Sequence, residues 1–169
     1  MVPALLEFHE PLWIKLERVP GWPYLNDLTA FAPALLGKTL AEFHLATFQD
    51  GTCLCHIDNQ PANILYNGNS YHFIDFSDSL RDKPERDLTH LLLFWASDLP
   101  HLEFTRLAPE LLAAYNAILP IQMKHWKDEL LHSISIFDDR RRAYHKSFHS
   151  IDPREFVANR QWLINPTFA

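Results

Sequence analysis

The sequence predicts a mostly helical α+β domain with its few strands near the front, and three observations predict it. Before residue 84 short apolar runs read as strands on either side of a helical stretch that ends near Phe48, whereas everything after Pro84 repeats with a helical period. The best turn signal of the hairpin kind, Asn67-Gly-Asn-Ser70, separates two short apolar runs in the front half. The chain has 169 residues, 47% hydrophobic and 13% aromatic, enough for one domain with a core and too few for a large multidomain enzyme.

Residues 4–9 and 12–19 read as extended segments, the second alternating before it breaks at Pro20-Gly-Trp-Pro23. Asn26-Asp27 is placed to cap a helix through about Leu36, with Gly37 as its stop. A second helix fits Lys38 to Phe48, with Leu40, Phe43, His44, Leu45 and Phe48 on or beside one face. After the Asp50-Gly51 turn, Thr52 to Cys55 reads as a buried strand and 56–62 as a polar loop. The runs 63–66 and 71–74 then form the hairpin. Helices are predicted over 85–97, 103–118, 120–137 or somewhat beyond, and 153–162, with Pro84, Pro100, Pro109, Pro120 and Pro153 at starts or breaks.

A formal net charge of −6 argues against a general nucleic-acid binder. No apolar run reaches the length of a membrane span, and the N-terminus lacks the basic start of a signal peptide, so a soluble cytoplasmic protein is expected. Arg140, Arg141, Arg142, Lys146, Arg154 and Arg160 make the C-terminal region locally basic, either as a solvated helix face or as an anion contact. Cys53 and Cys55 cannot complete a zinc site by themselves and read as small buried hydrophobes.

The chemistry concentrates in His56-Ile-Asp58-Asn-Gln-Pro-Ala-Asn63 and Phe73-Ile-Asp75-Phe-Ser-Asp78. If the hairpin pairs Tyr66 or Asn67 with Tyr71, its register sets Asn63 opposite Ile74 or Asp75, and Asp58 enters the same space. Two carboxylates and an amide converging on one point repel unless a cation separates them. An all-oxygen set of this kind suits Mg²⁺, and a carboxylate left off the metal can accept a hydroxyl proton. That is the geometry of phosphoryl transfer.

The order His-x-Asp-x-x-x-x-Asn, short hairpin, Asp-Phe-Ser resembles the catalytic and metal-binding loops of the protein-kinase-like fold. Within that fold it is most similar to the aminoglycoside phosphotransferase and choline kinase group, whose loop runs His-Gly-Asp-x-x-x-x-Asn-Ile-Leu. Leu16-Glu-Arg-Val-Pro-Gly21 resembles their last N-lobe strand and hinge, Leu40-Ala-Glu-Phe-His44 a helix behind the catalytic loop, and Arg86-Asp87-Leu88 the start of the following helix. Together the likeness spans roughly residues 12 to 130.

The resemblance implies a single domain, with 1–23 as remnant N-lobe strands and hinge and 24–169 as a helical C-lobe carrying the catalytic hairpin. Asp58 would be the catalytic base, Asn63 and Asp75 the Mg²⁺ ligands, and Glu17 and Val19 the hinge residues receiving the adenine of ATP or GTP. His44, His56 and Asp87 would be structural supports. The implied reaction moves a phosphoryl group to the hydroxyl of a small molecule.

Three positions depart from the pattern. Ser77 stands where Gly is usual, and Gln60 where protein kinases have Lys, which argues against a protein substrate. About eleven residues precede the hinge strand and none is Gly, so a glycine-rich phosphate loop and its strand Lys are missing, and Lys15 is a poor substitute. The expectation is a truncated N-lobe, with a homodimer mate or partner chain completing the nucleotide cleft and with Arg81, Lys83 or Arg86 serving the phosphates. A catalytically inactive binding or regulatory module, and another Mg²⁺-dependent hydrolase using the same carboxylates, are the alternative readings. Acceptor recognition is expected in 97–165, where Glu103, Glu110, Asp128, Glu129 and Asp138-Asp139 suit a cationic molecule and the basic tail an anionic one.

Overall fold

The computed structural model describes residues 4–9, 13–143 and 149–167; Leu12 and Lys146, named above, lie outside them. The first two strands, β1 (Leu5–His9) and β2 (Trp13–Leu16), form an antiparallel hairpin with Leu5 opposite Leu16. A two-residue strand, β3 (Trp22–Pro23), follows and pairs with a strand of the central hairpin, Trp22 opposite Tyr66. Gly21 permits this approach: its φ is +129°, and a Cβ there would stand 2.8 Å from the Tyr66 carbonyl oxygen.

The two helices predicted on either side of Gly37 are one. Tyr24–Asn26 makes a single 3₁₀ turn, and the helix α1 runs unbroken from Pro33 to Thr47. Asp27 does not cap it, because its Oδ1 accepts from the Thr29 N–H at 2.9 Å and the Thr29 hydroxyl at 2.6 Å, closing a local turn. Pro33 begins the helix instead, where its missing N–H costs nothing. Gly37 lies mid-helix because α1 crosses a later helix, α3 (His101–Asn116), at backbone contact: a Cβ on Gly37 would sit 2.2 Å from the Leu111 carbonyl oxygen. Packing, not chain termination, requires this glycine.

Cys53–Cys55 forms β4, as predicted, but its partner β7 (Leu80–Asp82) was not legible in the sequence. Between them the hairpin β5 (Ile64–Tyr66) and β6 (Tyr71–Phe73) has Tyr66 opposite Tyr71. Its turn is closed by Asn67, whose Oδ1 accepts from the N–H groups of Asn69 and Ser70 at 3.0 and 2.9 Å.

The helical half consists of α2 (Pro84–Asp98), α3, α4 (Met123–Ala143) and α5 (Pro153–Ile164). Pro109 lies inside α3 and does not break it. Leu107, Ala108, Leu111, Leu112 and Tyr115 are buried on that helix, and this burial outweighs one lost hydrogen bond. In the core α1 packs on α3 and α2 on α4, with α5 against both α2 and α3. Asn159 of α5 is fully buried and donates to the carbonyls of Ala96 and Leu99 at 3.1 and 2.9 Å, satisfying acceptors where α2 ends. Tyr24, Phe31, Tyr71 and Trp95 form an aromatic cluster beneath the hairpin, with Trp95 Nε1 donating to the Tyr24 hydroxyl. No helix among the described residues is long and apolar enough to cross a membrane.

Candidate active site

β4 delivers the chain into the loop 56–63, and one buried carboxylate fixes that loop's path. Asp87, fully buried in the first turn of α2, accepts from the backbone N–H of His56 at 2.6 Å and of Ile57 at 2.7 Å. Its Oδ2 also meets His44 Nε2 at 3.0 Å, and His44 Nδ1 meets the Tyr115 hydroxyl at 2.6 Å. Asn59, buried, donates to the Asp87 carbonyl at 2.7 Å, and His90 Nδ1 bonds the Ile57 carbonyl. Burial alone would raise the Asp87 pKa. The His44 contact and the two backbone N–H groups outweigh it and hold the carboxyl below its ordinary value.

Held this way, the loop turns sharply. The Asp58 N–H bonds the His56 carbonyl two residues back at 2.8 Å, and Ile57 takes φ +67°, an uncommon conformation for a β-branched residue. His56 Nε2 reaches across to the Ile74 carbonyl at 2.8 Å, joining this loop to the second one.

The turn presents Asp58. Its Oδ2 accepts from Asn63 Nδ2 at 2.9 Å and Gln60 Nε2 at 3.0 Å, and Asn63 Nδ2 is also 2.8 Å from the Asp58 carbonyl. With its amide nitrogen committed, Asn63 has Oδ1 left for a cation. The Ile74 N–H donates to the Asn63 carbonyl at 3.0 Å, so the register sets Asn63 opposite Ile74, one of the two expected alternatives. Asp75 follows at φ +62°, exposed, and Ser77 Oγ donates to its Oδ1 at 2.7 Å. The serine at the usual glycine position therefore orients the carboxylate. Asn63 Oδ1 and the Asp75 carboxylate are hard oxygen donors of the kind Mg²⁺ takes alongside water and phosphate, and the donor set fits that ion.

Beside Asp58 a cavity of about 670 Å³ opens, with Gln60, Asp78, His90, Phe94, Asp98, Phe137, Arg140 and Arg141 in its wall. Arg140 lies in this wall, 2.6 Å from Asp78 and 3.5 Å from Asp58 Oδ1. The cations expected to serve phosphates contact groups of the chain. Lys83 and Arg86 pair with Glu129 on α4 at 3.2 and 3.4 Å, and Arg81 donates to the carbonyls of Thr47 and Thr52. Four of the six acids expected to receive an acceptor are likewise engaged with cations of the chain: Glu103 with Arg106, Glu129 as above, Asp138 with Arg160 and Asp139 with Arg142. Glu17 is exposed, its N–H donating to the Ala4 carbonyl at 2.8 Å, and Val19 is half-buried beyond it.

Residues 3–126 match the model of a phosphotransferase enzyme family. The chain belongs to that family. Comparison with curated proteins gave no significant match. The phosphotransferase fold recurs in a choline/ethanolamine kinase family protein from Mesorhizobium loti, at 15% identity and TM-score 0.57, over 98% of this chain and 74% of that one. A macrolide 2'-phosphotransferase from Brachybacterium faecium aligns at 14% identity and TM-score 0.55, over 100% of this chain and 75% of its own. An ADP-bound aminoglycoside phosphotransferase aligns at 14% and 0.54, over 97% and 74%.

Several residues around Asp58 and its loop were not predicted from the sequence: Tyr115, Asn59, His90, Asp98 and the placement of Arg140. His90 carried one readable signal, its position on the first turn after Asp87 in α2. Tyr115 carried none, and Arg140 only its place in the basic cluster read as a solvated face or an anion contact, because each reaches the site from a helix remote in sequence. Cys53 and Cys55 are buried with Sγ atoms 3.7 Å apart and within 4.8 Å of a His44 nitrogen. Both nitrogens of His44 already have partners, so the trio is a packed group of the core.

Proposed function

We propose that this chain is a small-molecule phosphotransferase, moving the terminal phosphoryl group of ATP or GTP to an alcohol. The observation that carries the reading is Asp58: a carboxylate held by Gln60 and Asn63 on one oxygen, beside a cavity large enough for a small acceptor. With Oδ2 committed, Oδ1 is the atom that takes the proton as the acceptor oxygen attacks phosphorus and the nucleoside diphosphate departs. Asn63 and Asp75 would hold Mg²⁺, which neutralises the phosphates when bound. Arg140 stands next to Oδ1 and supplies positive charge where the transferred group passes. Glu17 and Val19 would receive the base through their backbone, and His44, His56 and Asp87 keep the loop in place. The need for a nucleoside triphosphate suits a cytoplasmic setting.

The test is phosphoryl transfer from ATP and GTP with Mg²⁺ to a panel of alcohols. Asp58→Asn is expected to lower kcat at least 10²-fold with little change in nucleotide affinity. Asp75→Ala is expected to abolish Mg²⁺-dependent nucleotide binding. Wild-type transfer that survives Asp58→Asn would sink the proposal.

One observation favours a second reading. Arg140 contacts both Asp58 and Asp78, as a counter-ion would in a module that binds without turnover. Nucleotide binding without transfer to any alcohol of the panel would support it.

A further inference from the structure

Asp75 is exposed, yet the chain on both sides of it is anchored. Before it, the Ile74 N–H donates to the Asn63 carbonyl at 3.0 Å. After it, the Phe76 ring lies against His56 with centres 4.6 Å apart, and the Ser79 N–H closes a turn on the Phe76 carbonyl at 3.1 Å. With the backbone held at φ +62°, the freedom left to Asp75 is rotation of its carboxylate. Ser77 takes that up. Its hydroxyl donates to Oδ1 at 2.7 Å, the short bond a hydroxyl makes to an ionised acid. Among the described residues no other hydrogen bond or ion pair reaches the Asp75 carboxylate.

The two oxygens of Asp75 are therefore unequal. The proton of Ser77 draws charge from Oδ1 and leaves Oδ2 the better donor to a cation. Asn63 is likewise a one-oxygen donor, because its Nδ2 is spent on the carbonyl and Oδ2 of Asp58. Single oxygens suit a small octahedral ion such as Mg²⁺, which fills its other positions with water and phosphate. Ca²⁺ is larger, takes about six to eight oxygens, and gains from grasping one carboxylate by both of its own.

We propose that Ser77 sets the metal preference of the site: by engaging Oδ1 it makes Asp75 a one-oxygen ligand and favours Mg²⁺ over Ca²⁺. This role rests on the reading of Asn63 and Asp75 as metal ligands and adds to it a positioning residue that acts through Asp75. Oδ1 keeps a second lone pair, so the serine biases the choice and does not close it. Glycine or alanine at 77 would leave the two oxygens alike.

The experiment uses the full chain without nucleotide and Mn²⁺ as the probe, an ion that takes oxygen ligands octahedrally as Mg²⁺ does and reports its binding through the relaxation of water protons. Asp75→Ala marks the part of the signal that belongs to this site, and Mg²⁺ and Ca²⁺ are titrated as competitors. Ser77→Ala is expected to lower the ratio of Mg²⁺ to Ca²⁺ affinity roughly five- to tenfold, one hydrogen bond's worth. Ser77→Thr, which keeps the hydroxyl, is expected to keep the wild-type ratio. A merely structural serine would weaken both ions together and leave the ratio where it was, and thermal unfolding of each variant checks the fold. An unmoved ratio in Ser77→Ala, or one that falls as far in Ser77→Thr, overturns the role of the hydroxyl and leaves Asp75 a ligand. Mn²⁺ binding that Asp75→Ala does not reduce overturns both.

Transfer from ATP to the alcohol panel is measured in parallel. A ratio that moves in Ser77→Ala without any phosphorylated product keeps this inference and removes the kinase reading. Mg²⁺-dependent transfer with an unmoved ratio does the reverse.

Discussion

Ile57 illustrates at the scale of one residue how the site stores strain. The position where the related loops carry Gly holds a buried isoleucine at φ +67°, kept there by two bonds: its N–H to Asp87 and its carbonyl to His90. Conformations of this kind cost about 1–3 kcal/mol. Alanine at 57 would lose the apolar contacts and keep most of the strain, whereas glycine would lose the contacts and relieve it. Ile57→Gly is therefore expected to be more stable than Ile57→Ala by about 1 kcal/mol in urea unfolding, the reverse of the order in regular structure. His90 gives a second prediction, in pH. Its pKa falls from 6.5 unfolded to about 4 folded, so between these values the unfolded chain binds the extra proton. Its contribution is complete above pH 6.5 and is lost as pH falls toward 4, at most about 3 kcal/mol. Asp87, lowered from 3.8, loses its own contribution only below that value. Melting temperature should thus decline well before the carboxylate range, and His90→Asn should flatten that limb and leave the more acidic one.

At the scale of elements the decisive contact is α1 on α3. These helices meet backbone to backbone at Gly37 and Leu111, and this close approach lets His44 on α1 reach Tyr115 on α3. Helix propensity favours Ala over Gly by nearly 1 kcal/mol, so an exposed Gly37→Ala would stabilise. Here the added methyl has only backbone to meet, at 2.2 Å. Gly37→Ala is expected to cost about 2–3 kcal/mol in denaturant unfolding. By moving α1 it should also loosen the loop at Asp58, read as faster amide exchange at His56 and Ile57.

At the scale of the whole molecule, the strands and loops of the front half lay the site across the helical half, and the cavity opens where the loop 56–63 meets α2 and α4. The four glycines, at 21, 37, 51 and 68, leave the chain without a glycine-rich phosphate loop. Affinity for Mg²⁺ and ATP should accordingly be modest in dilute protein. If a second copy completes the cleft, the thermal shift at fixed ATP will grow with protein concentration, toward the ~2.7 kcal/mol expected at 100 times Kd. A shift independent of protein concentration assigns binding to the single chain. Asp75→Ala should remove the shift in either case.

The hairpin and the loops around it were readable because their signals are local. Asn67-Gly-Asn-Ser70 sets the turn, the turn sets the register, and the register sets Asn63 opposite Ile74. Spacing singled out Asp58, Asn63 and Asp75, the family resemblance added Asp87, and the helical second half followed from its apolar period, which survives even Pro109. The role of Gly37, the pairing of β4 with β7, the tether from Tyr115 through His44 to Asp87, and the seat of Arg140 on Asp58 were not readable. Each joins residues twenty-five or more positions apart, and no local pattern encodes which buried group will meet which. The sequence by itself determined which polar atoms are available near the hairpin. Only the tertiary structure decided which partners hold them, because burial makes every polar atom find a partner and close packing decides which one it finds.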